Sequence, residues 1–156
     1  MVTFNFLSFL EVLVLSPIAA SGFAIMFNVP KKYLKYTAFL AMIGCTLRYV
    51  MFSCGISIEV ATFCGSFCVG VVAIKLSEIT RTYPKTISIA AIIPMFPGVH
   101  AYEAMISVVQ LAHSGYSAEL AENMISEFLK ATFIVGALSI GLTLPGTWMY
   151  RKRARV

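Results

Sequence analysis

Apolar residues run along this chain in five long blocks, separated by short polar clusters. The blocks cover about 5–27, 34–54, 57–77, 87–110 and 129–150. Each is near the roughly 20 residues that a helix needs to cross about 30 Å of hydrocarbon. The pattern predicts an all-α, polytopic membrane protein: a single transmembrane domain over 1–156 with five transmembrane helices. The fourth block is the least apolar. Its stretch AAIIPMFPGVHAYE carries Pro94, Pro97, Gly98, His100 and Glu103, so the fourth helix is expected to be broken by prolines. A four-span reading makes one segment re-entrant and leaves two basic clusters on opposite sides.

The basic residues sharpen this picture. Lys31, Lys32 and Lys35 lie between blocks one and two, and Arg81 and Lys85 between three and four. Arg151, Lys152, Arg153 and Arg155 follow block five. The connections after blocks two and four hold no Lys or Arg, and the latter carries Glu119, Glu122 and Glu127. The positive-inside rule then puts the N-terminus outside and the C-terminus in the cytoplasm. Trp148, Tyr150 and Tyr83 stand near the cytoplasmic boundary, where aromatic residues gather.

Composition agrees. The chain is 59% hydrophobic and only 12% charged, whereas soluble domains carry about 25% charge. Its mean hydropathy is +0.85. The formal charge of +5 is scattered between apolar blocks rather than gathered on one face, which argues for a membrane and against nucleic acid. The N-terminal block has no preceding Lys or Arg and no convincing cleavage site, so it reads as a retained helix. Segment 117–130 repeats Leu120, Met124 and Phe128 at helical spacing. It is either an interfacial helix running into span five or that span's exposed first turn.

Candidate chemistry centres on the break. A helix starting near Thr86 reaches Pro94 and Pro97 after roughly 12–17 Å, close to the bilayer midplane. Proline removes a donor and clashes with the turn before it. The carbonyls of Ala90 and Ile93 are therefore expected to lose their helical partners, at a cost in lipid unless protein or water replaces them. Pro97 suits the start of a second half-helix. Its free amides near Val99 and His100 suit a carboxylate. Gly98 would permit close approach, and Tyr102 could donate one turn later. A kinked structural helix is the ordinary alternative.

Charges within the spans add candidates. Arg48 is expected either to pair with Glu59, to attract an anionic substrate, or to snorkel. Glu11, Glu59 and Glu103 are candidates for ion pairing or proton coupling. Cys45, Cys54, Cys64 and Cys68 lack accompanying ligands and read as small buried hydrophobes. No metal site and no cofactor is expected. The small pairs Ala61/Gly65, Ser66/Gly70 and Ala137/Gly141 favour close helix contact. No phosphate-binding loop ending in GK[ST] is present. Nor is there a nucleophile–base pair, so the chain is not expected to be an enzyme.

The pieces GFAIMFNVP (22–30), AAIIPMFPGVHAYEAMI (90–106) and VGALSIGLTLPGTWMYRKRARV (135–156) resemble the small membrane subunit of the bacterial threonine/serine exporter family. The likeness extends over essentially the whole chain and points most closely to the succinate-type subunit of the split, two-protein form. The resemblance implies the C-terminal half of a ten-span exporter of the bacterial inner membrane. It implies a larger membrane subunit, homologous to the N-terminal half, as an obligatory partner, and homo-oligomerisation is an option. It implies export of a small carboxylate: succinate, or alternatively threonine and serine. A non-conducting scaffold subunit is the further alternative. His100 and Glu103 lie outside the family motif, and the resemblance assigns no individual ligand.

Overall fold

The computed structural model describes residues 6–153, with no side-chain description for 114 and 150–153. The C-terminal basic cluster and the Tyr150 ring therefore lie outside the described residues. Six helices follow one another: α1 (Phe6–Met26), α2 (Leu34–Ser53), α3 (Ile58–Thr80), α4 (Pro84–Ile92), α5 (Gly98–Ser114) and α6 (Ala118–Arg153). One 3-10 turn, Lys31–Tyr33, leads into α2, and another, Ile93–Met95, follows α4. The helices α1, α2, α3 and α6 are each long and apolar enough to cross a membrane alone. The pair α4 and α5, bent by 55° at the break, passes the same test only when taken together, as the geometry of a broken span or a re-entrant loop.

Local chemistry sets the boundaries. Asn28 ends α1 in the left-handed region at φ 58°, and Val29 N donates to Ala24 O at 2.9 Å. This is the usual way a helix closes its last carbonyls before a proline, here Pro30. Arg81 closes α3 similarly at φ 49°, with Thr82 N donating to Ser77 O at 3.2 Å. Pro84 opens α4 at its first position, where a missing N–H costs nothing. Segment 117–130 is no separate element: α6 is one continuous helix of 36 residues, about 54 Å long at 1.5 Å per residue.

Small residues decide how closely the helices pack. A Cβ at Gly65 would stand 2.9 Å from Gly44 O, so α2 and α3 cross backbone to backbone. A Cβ at Gly141 would stand 2.8 Å from Phe63 O, and one at Gly70 would stand 3.0 Å from Leu142 O, so α3 and α6 cross just as closely. The expected small pairs on α3 and α6 thus serve this packing, and Gly44 joins them from α2. The short helix α4 is wedged among α1, α2 and α3, burying Ile87, Ser88, Ala90 and Ala91. After the break, α5 leaves that bundle and packs against α6.

One expectation needs correcting. Cys45 is buried, but Cys64 and Cys68 are half-buried and Cys54 is exposed. Cys54 follows the last turn of α2, where no other helix covers it. All four thiols are free.

Candidate substrate site at the broken helix

The break is built from one turn, of which Met95 is the buried residue. Ile93–Met95 forms the 3-10 turn, Phe96 is extended, and Pro97 precedes the first residue of α5. Phe96 N donates to Ile93 O at 2.9 Å, Gly98 N to Phe96 O at 2.9 Å, and Ala101 N to Pro97 O at 3.0 Å. The tight turn therefore satisfies Ile93 O, one of the carbonyls expected to be free. Met95 O, between the two helical ladders, accepts no backbone bond among those described at the break.

Arg48 of α2 supplies its partner. Arg48 Nη1 donates to Met95 O at 2.6 Å. The Met95 side chain is fully buried, and a Cβ at Gly65 would stand 2.7 Å from its terminal methyl. Met95 thus sits in the notch that Gly44 and Gly65 leave, and Arg48 fastens its carbonyl from the other side. The Arg48–Glu59 ion pair left open by the sequence does not form. Arg48 is engaged instead by a buried carbonyl with no ladder partner, and Glu59 in the first turn of α3 makes no ion pair among the described residues.

Beside this bond lies a cavity of about 550 Å³, lined by Glu11, Ser16, Cys45, Arg48, Tyr49 and Pro94 among others. Glu11 is at its exposed rim. The Ser16 residue is 6% exposed, and its hydroxyl, beside the Cys45 thiol, makes no hydrogen bond of good geometry. A buried hydroxyl without a well-placed partner costs about 1–3 kcal/mol, so an acceptor entering the cavity would find it ready. A guanidinium carries five N–H groups in a rigid fork. One is engaged by Met95 O. The remaining donors suit a carboxylate, and the single carboxylate on the wall, Glu11, gives the cavity both signs of charge.

The other expected residues separate from this cavity. Pro97 is buried and lines an apolar groove between α5 and α6. Gly98 faces open space, since a Cβ there meets nothing within 4 Å. Val99 and Tyr102 are 68% and 67% exposed on α5. The start of α5 therefore makes no closed cradle within this chain.

His100 and Glu103 form a second cluster. His100 Nδ1 lies 2.6 Å from Glu127 Oε2, and Lys130 Nζ donates to Glu127 Oε1 at 2.6 Å. The ligand atoms of His100, Glu103 and Glu127 all lie within 4.8 Å of one another. No sequence spacing reveals this grouping, because α6 supplies Glu127 across the 115–117 turn. These are donor types that a divalent cation accepts. Both Glu127 oxygens are already engaged, however, by His100 and Lys130. The cluster is an ion-pair network that locks α5 onto α6.

Ser16 and Tyr49 were not singled out by the sequence, and Cys45 was read only as a small buried hydrophobe. Glu11, Val12, Leu15, Ser16 and Ala19 line the cavity at the spacing of one helix face. Little polar contrast marks that face, because α1 is largely apolar on every side and its few polar residues are scattered. Among known proteins, the family model described as Threonine/Serine exporter, ThrE, matches residues 12–148. No solved structure matches the chain.

Proposed function

This chain belongs to the threonine/serine exporter family, and on that premise we propose that it is one subunit of a two-component exporter of small carboxylates, acting as a carrier rather than an enzyme. The proposed setting is the bacterial inner membrane, with the N-terminus outside and the faces bearing Lys31 and Lys85 in the cytoplasm. The larger membrane subunit homologous to the N-terminal half completes the pathway.

The observation that carries this reading is Arg48, held at the break by Met95 O and lining a cavity with the Ser16 hydroxyl, which has no well-placed partner. One substrate carboxylate docks on Arg48 and accepts from Ser16. Succinate is the proposed substrate. Carrying one proton, it fits the pair of charges: a carboxylate on Arg48 and a carboxylic acid donating to Glu11. A negative cytoplasm drives each exported negative charge outward by about 2.3 kcal/mol per 100 mV. Threonine or serine is the second reading, favoured by Glu11 on the same cavity wall, which would receive an ammonium group directly. A scaffold role would leave Arg48 with only its structural bond.

The test is efflux from liposomes that contain both subunits and are loaded with labelled succinate or threonine. Succinate efflux that needs both subunits, and that threonine inhibits weakly, is the expected result. Preferred threonine efflux selects the second reading, and full transport by the larger subunit alone selects the scaffold. Ser16→Ala gives a separate signature. Removing a buried hydroxyl without a well-placed partner is expected to leave the thermal midpoint of the complex unchanged or raised. The half-saturating substrate concentration should rise about tenfold, as loss of one hydrogen bond to a charged group implies.

A further inference from the structure

The break separates two openings. Pro94 lines the Arg48 cavity. Ile92, two residues earlier, lines a different groove of about 690 Å³ between α3, α4 and α6. That groove opens on the basic face, where Lys85 stands at its mouth in the first turn of α4. Ser88, one turn further in, is 3% exposed. Its hydroxyl makes no hydrogen bond with any described residue. Lys85 is exposed and forms no ion pair among the described residues.

The opposite wall completes the chemistry. Ser139, Thr143 and Thr147 of α6 line the groove. Each donates its proton to a carbonyl of its own helix: Ser139 to Val135 O, Thr143 to Ser139 O and Thr147 to Leu144 O. The free donors in the groove are thus the Lys85 ammonium and the Ser88 hydroxyl, one behind the other. A lipid chain would leave both unsatisfied. An anion with acceptor oxygens satisfies both.

We infer that this groove is the cytoplasmic waiting site for the exported carboxylate, paired with Lys85 at the mouth and bonded by Ser88 within, with the turn Ile93–Met95 as the barrier between it and the Arg48 cavity. This rests on the exporter reading and adds a second substrate position to it. Passage then requires the turn to move off the Gly44–Gly65 notch. Arg48 is placed to follow, since its guanidinium can exchange Met95 O for the arriving carboxylate.

The experiment uses both subunits in liposomes, with Cys54, Cys64 and Cys68 replaced, buried Cys45 kept, and Ser88→Cys introduced; the same background without Ser88→Cys reports any reaction at Cys45. A membrane-impermeant methanethiosulfonate should modify the new thiol from the cytoplasmic side alone, and saturating succinate should slow the reaction about fivefold or more. Lys85→Gln, a surface change at the mouth, should raise the half-saturating succinate concentration about tenfold at the cytoplasmic face and leave it unchanged at the external face. Modification that succinate does not slow would overturn the inference, as would reaction from outside alone. So would a thiol unreactive from both sides because a helix of the larger subunit covers the groove. In all three cases Arg48-dependent transport would persist. A wild-type complex that moves neither succinate nor threonine would instead sink the exporter reading itself.

Discussion

Replacing Arg48 by glutamine is expected to lower export by about 100-fold or more while the two-subunit complex still forms. Two losses combine. The Met95 carbonyl, now bonded by Arg48 Nη1 at 2.6 Å, would be left without its charged donor, which costs about 1–3 kcal/mol. The substrate would also lose its cation in a site of low dielectric, where a charge-assisted pair is worth more than in water. A hydrogen bond to a charged group is worth about 1.5–3 kcal/mol, a range that reaches the roughly 2.8 kcal/mol of a 100-fold change. Arg48→Lys keeps the charge but not the fork, so it cannot hold a carbonyl and a carboxylate at once. An intermediate loss, about tenfold, is expected there. Efflux assays on co-purified complexes separate the two roles. If the losses in transport follow losses in assembly across both variants, Arg48 is a structural tie and the carboxylate site lies elsewhere.

The second large effect concerns the fold. Gly141→Val is expected to prevent stable accumulation, or to lower the thermal midpoint of the purified complex by about ten degrees. A Cβ at Gly141 would stand 2.8 Å from Phe63 O and 3.2 Å from Phe67 N. Both are backbone atoms of α3, so no rotamer change relieves the clash and the helices must separate. Overpacking of this kind costs about 1–3 kcal/mol and more where backbone must shift, and each kcal/mol moves the midpoint of a chain this size by about 2–4 °C. Gly136→Ala is the matched control on the same helix. A Cβ there meets nothing within 4 Å, and alanine favours helix by up to about 1 kcal/mol. Equal stability of the two variants would mean that α3 and α6 do not cross at Gly141.

The spans and the break were legible because each rests on a strong local signal. Long apolar blocks can only be helices in lipid. Two prolines three apart cannot continue one, and the bend falls at them. Pairings between helices were less legible. The partner of Arg48 is a backbone carbonyl, and a carbonyl has no letter in the sequence. Glu59 was the nearest plausible anion by position, yet it makes no ion pair among the described residues. Ser16 sits in a helix with no polar stripe to reveal its direction. His100 and Glu127 are 27 residues apart and meet only because α5 and α6 fold back across a short turn. The cradle expected at the start of α5 required neighbours around Val99 and Tyr102. Both are exposed, because α5 leaves the α1–α4 bundle at the break.

The length of α6 bears on how the protein sits in its bilayer. A rod of about 54 Å would have to lean by well over 50° to hide within about 30 Å of hydrocarbon, whereas membrane helices lean by about 20° on average. A good third of α6 must therefore project among headgroups or into water. Its N-terminal turns, where Glu119 and Glu122 are exposed, are the part that tolerates this. The bilayer edge then falls near Glu127 and Lys130, so thickening the membrane by a few ångströms would draw that ion-pair network towards the acyl chains before it strained α1 or α3.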